Sequence, residues 1–250
     1  MDDAKAILIT GASRGIGRAA ARLACARGWS VGVNYVHDEA AAHAVVDEIA
    51  RAGGKAVALR GDVTNEDQVV DLFESAARAL GPLSGVVANA GIVAPTARLI
   101  DMGAERMRRV FEVNVIGALL TAREAARRLS TSLGGAGGSM VLISSAAARL
   151  GSPGLYVDYA ASKGAIDTLT LGLAKELAAE GVRVNAIRPG LIDTKIHASG
   201  GEPDRAFTLG ATTPMGRPGT AEEVAEAIVW LLSDASSYVT GALLDVSGGR

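Results

Sequence analysis

Short runs of β-branched and aliphatic residues alternate along the chain with Ala-rich segments of helical length, and turns of Gly, Asn and Asp separate them. The runs predict strands over 6–10, 30–35, 55–60, 85–88, 139–144, 183–187 and 242–246. Several are apolar without interruption, as in Val86-Val87-Ala88, which is the pattern of parallel strands covered on both faces. The segments between them predict helices over 16–27, 39–52, 66–79, 104–132, 159–179 and 221–233. Strand–helix alternation of this kind implies an α/β fold: a Rossmann-like doubly wound parallel sheet of about seven strands, with helices on both faces and right-handed crossovers. No linker, low-complexity block or short-period repeat interrupts it, so residues 1–250 read as a single domain. The stretch 193–214, rich in Gly, Ser and Pro, is the one long irregular segment and reads as a substrate lid.

Composition narrows the function. The chain has 250 residues, with 25 Lys+Arg against 27 Asp+Glu, a net charge of −2, so charge balance gives no reason to expect a nucleic-acid partner. With 49% hydrophobic and 21% charged residues, the chain has the means to bury a sizeable core. Its single cysteine, Cys25, excludes an intrachain disulfide, and His37, His43 and His197 are scattered without ligand spacing, so no metal site is expected. The first residues are acidic where a secretory signal is basic. The charge-poor stretches 79–97 and 129–148 are broken by Gly81-Pro82, Gly134-Gly135 and Gly137-Gly138, which suits turns and buried strands better than membrane spans. A cytoplasmic protein with no membrane partner is expected.

The first strand runs into Thr10-Gly11-Ala12-Ser13-Arg14-Gly15-Ile16-Gly17 and then directly into a helix. Glycines there let backbone N–H groups approach a pyrophosphate seated at the positive helix end. The spacing is Gly-x-x-x-Gly-x-Gly, distinct from a P-loop because no Lys-Ser/Thr follows. Farther on, Tyr159 and Lys163 are four apart on a predicted helix and share a face. An ammonium beside a phenol favours the phenolate, the state needed for acid/base work near neutral pH. Ser144-Ser145 close the fifth strand, at the carboxyl edge where ligands of open α/β sheets bind. Asn114 lies in the apolar run 113–116, where a buried amide requires hydrogen bonds.

Together these residues resemble the short-chain dehydrogenase/reductase family over nearly the whole chain. The cofactor turn matches 10–17, and the family's Asn-Asn-Ala-Gly appears as Ala88-Asn89-Ala90-Gly91. The mid-helix Asn matches Asn114, the strand-end Ser matches Ser145, and Tyr-x-x-x-Lys matches Tyr159 and Lys163. Pro-Gly after strand six matches Pro189-Gly190, followed by Ile192 and Thr194. The chain departs from the pattern at Ala88 and at Ser247, which stands where Asp is common, and it is about one residue longer between Ser145 and Tyr159. Alignment through Gly151 favours Ser145 over Ser144.

The resemblance implies hydride transfer between a nicotinamide and a carbonyl or carbinol carbon. In that scheme Tyr159 is general acid and base, and Ser145 binds the substrate oxygen. Lys163 lowers the Tyr159 pKa and holds the nicotinamide ribose, while Asn114 holds a water linked to Lys163. Asp62 and Val63 meet the adenine; Asn89, Ala90 and Gly91 flank the adenosine ribose and phosphates. Pro189, Gly190, Ile192 and Thr194 border the nicotinamide. The glycine turn supplies Gly11, Ser13, Arg14, Gly15, Ile16 and Gly17. At the tip of strand two, Asn34, Tyr35 and His37 stand where NAD enzymes place an acidic residue, while Asp38 and Glu39 suit the cap and first turn of the next helix. With Arg14 beside them, NADP is expected ahead of NAD. Tyr156 is read as a substrate-wall residue. Sugar-dehydrogenase-like members and 3-oxoacyl-carrier-protein reductases are equally similar, although Arg127, Arg128 and Arg149 cannot be assigned to carrier docking. A catalytically silent dinucleotide sensor would be expected to lack part of the tetrad. A helix apolar most of the way round after Tyr159 implies a homo-oligomer, expected to be a homotetramer.

Overall fold

The computed structural model describes residues 5–196, 200–202 and 204–250. Its strands are β1 (Ala6–Ile9), β2 (Ser30–Tyr35), β3 (Ala56–Arg60), β4 (Leu83–Ala88), β5 (Gly138–Ile143), β6 (Val182–Pro189) and β7 (Leu243–Val246). They form one sheet in the order β3-β2-β1-β4-β5-β6-β7, with every pairing parallel. Parallel neighbours need crossovers, and the helices supply them: α1 (Gly15–Ala26), α2 (Glu39–Arg51), α3 (Glu66–Leu80), α4 (Ala104–Phe111) and α5 (Gly117–Leu129). They are followed by α6 (Ala147–Leu150), α7 (Val157–Leu177), α8 (Arg205–Gly210) and α9 (Ala221–Leu232).

The uninterrupted apolar strands follow from burial on both sides. In β1, Ile7 and Ile9 face a core shared with α1, α2 and α9, whereas Ala6 and Leu8 face one shared with α3, α5 and α7. All four β1 side chains are fully buried. The strand order reverses between β1 and β4, and the crevice outside the carboxyl ends at that point is where α/β sheets take ligands.

Two sequence expectations change in detail. The helix expected over 104–132 is divided: α4 passes into a π-helical turn, Glu112–Ile116, before α5 resumes. A 3.6-residue periodicity cannot show such a turn, because the apolar faces on both sides of it still point at the sheet. Within the segment expected to be irregular, Arg205–Gly210 forms the short helix α8. His197 lies outside the described residues. Among the described residues no helix is long and apolar enough to cross a membrane, and no three His, Cys, Asp or Glu side chains cluster to hold a metal.

Candidate active site

The glycine turn is locked to the β4 end by hydrogen bonds. The Asn89 amide donates to the carbonyls of Thr10 (2.8 Å) and Gly11 (3.0 Å), and the Thr10 hydroxyl accepts from the backbone N–H groups of Asn89 and Ala90, both at 3.0 Å. Gly11 has φ of +62°, and a Cβ on Gly17 would stand 2.6 Å from the Asn89 amide nitrogen and 2.7 Å from the Gly11 carbonyl. Glycine at these two positions lets α1 begin directly against the strand tips.

The start of α1 differs from those of α2, α3 and α9. Asp38 caps α2, Asn65 caps α3, and Thr220 with Glu223 forms a capping box on α9; acidic residues fill the first turn of all three. On α1 the cap position is Arg14, no side chain accepts a hydrogen bond from the helix end, and no acid lies in the first turn. The orphan N–H groups and positive dipole end of α1 therefore present donors of the kind that fit a pyrophosphate.

Residues expected beside Arg14 divide into two groups. Asn34 is fully buried: its amide donates to the carbonyls of Leu59 (3.2 Å) and Gly61 (2.9 Å), and its oxygen accepts from Gly11 N–H at 3.1 Å. It supports the glycine turn from behind and has no donor left for a ligand, which corrects the role expected for it. The Tyr35 side chain is buried in the core, so only its backbone marks the strand tip. His37 and Arg14 are exposed, and among the described residues Arg14 makes no ion pair. Asp38 accepts from Ala41 N–H at 3.0 Å, as expected of a cap. Asp62 accepts from both the N–H and the hydroxyl of Thr64, and the Val63 side chain packs in the core. Arg60, which the sequence reading did not single out, pairs in register with Tyr35 and is exposed at the same edge.

On the other side of the switch point lies a cleft of about 460 Å³, lined by Ser145, Tyr159 and Lys163 together with Asn89, Gly91, Pro189, Gly190, Ile192 and Thr194. Thr194 and the glycine turn face each other: a Cβ on Gly15 would stand 3.6 Å from the Thr194 methyl. Tyr159 and Lys163 project from the first turns of α7, which Arg106 of α4 anchors through Asp158, itself 5% exposed, at 2.9 Å. Ser145 accepts from Ala147 N–H at 3.1 Å and lies near enough to the Tyr159 phenol to favour its ionised form. Ser144 turns inward, donating to the Lys163 carbonyl at 3.1 Å, so the serine facing the tyrosine is Ser145. Asn114 sits in the π turn and clamps Ile92, accepting from its N–H (2.8 Å) and donating to its carbonyl (2.9 Å) and to Ser162 Oγ (3.1 Å). Asn114 Oδ1 and Lys163 Nζ both lie 3.4 Å from where a Cβ on Gly91 would stand, which brings the two together at the cleft floor.

The electrostatics differ from the sequence expectation. Burial pushes the Tyr159 phenol up to about 12, with Ser145 pulling the other way. Burial pushes the Lys163 ammonium down to about 8, partly offset by the Asp167 carboxylate one turn further along α7. Lys163 Nζ donates to the Ile143 carbonyl at 2.8 Å and lies 5.6 Å from the Tyr159 ring centre. Desolvation thus dominates, and the chain by itself holds Tyr159 as a protonated phenol. Asp167 is fixed in turn by Arg188, at 2.8 Å. Its spacing of four from Lys163 was visible in the sequence; its partner on β6 was not.

The cleft's far wall joins Tyr156, expected there from the sequence, to residues of the segment expected to be a lid. Tyr156 meets Tyr159 edge-on, ring centres 5.7 Å apart, and the Arg205 guanidinium lies over Tyr156 at 5.1 Å. Glu202, Arg205 and Arg250 complete this wall.

Comparison with known proteins accords with this arrangement. A family model described as enoyl-(acyl carrier protein) reductase matches residues 11–250. A protein named "Uncharacterized oxidoreductase YgfF", from Escherichia coli (strain K12), is 53% identical, the match covering 97% of this chain and 98% of that one. The cis-4-hydroxycyclohexanecarboxylate dehydrogenase of Sinomonas cyclohexanicum is 41% identical over 97% of this chain and 94% of its own. Among solved structures, a short-chain type dehydrogenase/reductase from Mycobacterium marinum superposes with a TM-score of 0.92 at 37% identity, covering 99% of this chain and 96% of that one.

Proposed function

The chain belongs to the short-chain dehydrogenase/reductase family, and from that premise we propose that it reduces a ketone or oxidises a secondary alcohol with NADP(H), using Tyr159 as the proton donor and acceptor. Membership makes it an oxidoreductase with a nicotinamide dinucleotide cofactor, which when bound supplies or accepts the hydride. The observation that carries the reading is that Tyr159, Ser145 and Lys163 line one cleft at the carboxyl edge of the sheet, with Ser145 acting on the Tyr159 phenol. In reduction, Ser145 holds the carbonyl oxygen and Tyr159 gives it a proton as negative charge develops there. In oxidation the same phenolate receives the alcohol proton. Lys163 is assigned to the nicotinamide ribose and to the phenolate charge, and Asn114 to the water path behind Lys163.

The preference for NADP draws support from three features. Asp38 is committed to capping α2, Arg14 is exposed without an ion pair among the described residues, and Arg60 and His37 add basic groups at the same edge. The glycine turn, Ser13, the Tyr35 backbone, Asp62, Val63 and 89–91 are assigned to the adenosine and phosphates, and 189–194 to the nicotinamide side. A carrier-protein substrate draws less support, because Arg127 and Arg128 pair with Glu124 and Arg149 pairs with Asp245. Self-association, as a homotetramer, is favoured by the outer face of α7. Leu171 is 42% exposed there, and Cβ atoms on Gly164 and Gly172 would meet nothing within 4 Å.

The test is a panel of cyclic ketones, oxo acids and aldoses assayed with NADPH and NADH. NADPH is expected to give a kcat/KM at least about tenfold higher, the scale of one charge-assisted contact. An NADH preference overturns the cofactor assignment, and turnover retained without the Tyr159 hydroxyl overturns the chemistry.

A further inference from the structure

We infer that the substrate carries a carboxylate, held apart from the reacting carbon by a hydrocarbon spacer, and that Arg205 binds it. This rests on the oxidoreductase reading above. Arg205 is only 7% exposed, yet it faces the same cleft as Tyr159 and Ser145. A guanidinium has five donors in a fixed fork. Here Nη1 donates to Glu202 at 2.7 Å, while Nε is buried without any hydrogen-bond partner among the described residues. Burying a cation with donors unmet is costly, and a wall that needed only to be closed would be cheaper built from an apolar residue. The guanidinium lines the cleft between Glu202 and Tyr156, where an acceptor that arrives with the substrate can share it with Glu202.

The position of the cation sets where that acceptor belongs. Tyr156 stands between Tyr159 and Arg205, its ring centre 5.7 Å from that of Tyr159 and 5.1 Å from the Arg205 guanidinium. An acid whose carboxylate is attached to the carbonyl carbon places it too close to Tyr159 to reach Arg205. An acid with a ring or a short chain between the two groups spans the gap. The aliphatic part of the cleft lining, Val93, Leu150, Leu155 and Ile196, suits such a spacer. The charges facing Tyr156 are those of Arg205, Arg250 and Glu202, two guanidinium groups against one carboxylate. Glu202 has 38% of its side chain exposed, so it is the member of the pair that water can receive when a substrate carboxylate takes its place.

The experiment compares 4-oxocyclohexanecarboxylate with its methyl ester, as substrates of the cofactor-loaded protein and its Arg205→Met, Arg205→Lys and Glu202→Gln variants. In the wild type the acid is expected to exceed the ester in kcat/KM by about 30-fold or more, the scale of a charge-assisted bidentate contact. Arg205→Met is expected to collapse that ratio towards one through the KM for the acid. Arg205→Lys keeps the charge but loses the fork, and is expected to retain part of the ratio. Glu202→Gln is expected to raise it, because the substrate no longer displaces a competing carboxylate. Equal use of acid and ester by the wild type overturns the inference, as does an unchanged ratio in Arg205→Met. Calorimetry with cyclohexanecarboxylate and its amide decides the matter even if neither ketone is reduced. Acid-selective binding that Arg205→Met abolishes supports the inference, whereas absence of selectivity overturns it. Failure of turnover alone bears on the oxidoreductase reading instead.

Discussion

The two sides of the switch point are built from different material. On the β1–β3 side the groups offered to a ligand are mostly backbone: glycines with no side chain, an uncapped helix end, and polar residues such as the buried Asn34 and half-buried Asn89 that tie the turns to one another. On the β5–α7 side they are buried, titratable side chains whose burial pushes their pKa values in opposite directions. A backbone site holds a constant partner in one register, and side-chain replacement changes it little unless a glycine is lost. A side-chain site performs chemistry and selects substrates, and each of its groups carries a desolvation cost. The same sheet therefore offers one half suited to binding and another suited to turnover, and the two are expected to fail separately.

The largest separation is expected from Tyr159→Phe, which removes only a hydroxyl. Turnover should fall about 10³-fold, in the range of a lost general acid, while cofactor affinity measured by fluorescence titration changes little. Comparable losses in both would mean that the two halves are not independent. Next comes Arg14→Ala on the backbone-built side. It should lower the NADPH-to-NADH ratio of kcat/KM by about 10- to 100-fold, the worth of a charge-assisted contact to phosphate, without altering the preference among ketones. A constant ratio would place phosphate reading elsewhere, with Arg60 the first alternative.

Lys163→Met sharpens the contrast through stability. The folded chain holds Lys163 at about 8 against the ordinary lysine value of 10.5, so folding disfavours its ammonium. That cost is present in full below about pH 8, fades as pH rises towards 10.5 and is absent above it. Without cofactor, the variant should be more stable than wild type by about 1–3 kcal/mol at pH 7 while losing activity. The advantage should shrink across that pH window in thermal melts; a variant less stable at pH 7 would show that the hydrogen bond to Ile143 outweighs the buried charge. The smallest effect is expected from Asp38→Ala: about 1 kcal/mol of stability lost with the helix cap, and no change in the cofactor ratio. A selective fall in NADH use would instead give Asp38 a place on the ribose.

Much of this arrangement was legible because it is written locally. The strands appear as unbroken apolar runs, the glycine turn as a spacing, and Tyr159 and Lys163 as a pair four apart on one helix. Asp38 announced itself as a cap by standing just before Glu39 and an Ala-rich helix. Asn34 was misjudged as a ligand contact, although a polar residue in a strand covered on both faces must satisfy its amide internally. The depressed Lys163 and elevated Tyr159 were not readable, since desolvation depends on packing contributed by distant segments. The same holds for Asp158 with Arg106 and for Arg205 over Tyr156: each joins residues whose separation along the chain carries no periodic signal.

The π turn at Glu112–Ile116 has a consequence for how the protein can change. Each residue of an α-helix advances the chain by roughly 100°, so the turn absorbs a residue that regular winding has no room for. Losing any one residue between 112 and 116 would let the helix wind regularly while leaving Ala118, Ala122 and Ala125 against the sheet. Asn114, or whatever then occupied its place, would no longer be aimed at Ile92. Replacing the exposed Glu112 would disturb none of this. Along this helix, then, a deletion of a single codon is the more damaging lesion than a change of residue, and its damage falls on the floor of the cleft rather than on the fold.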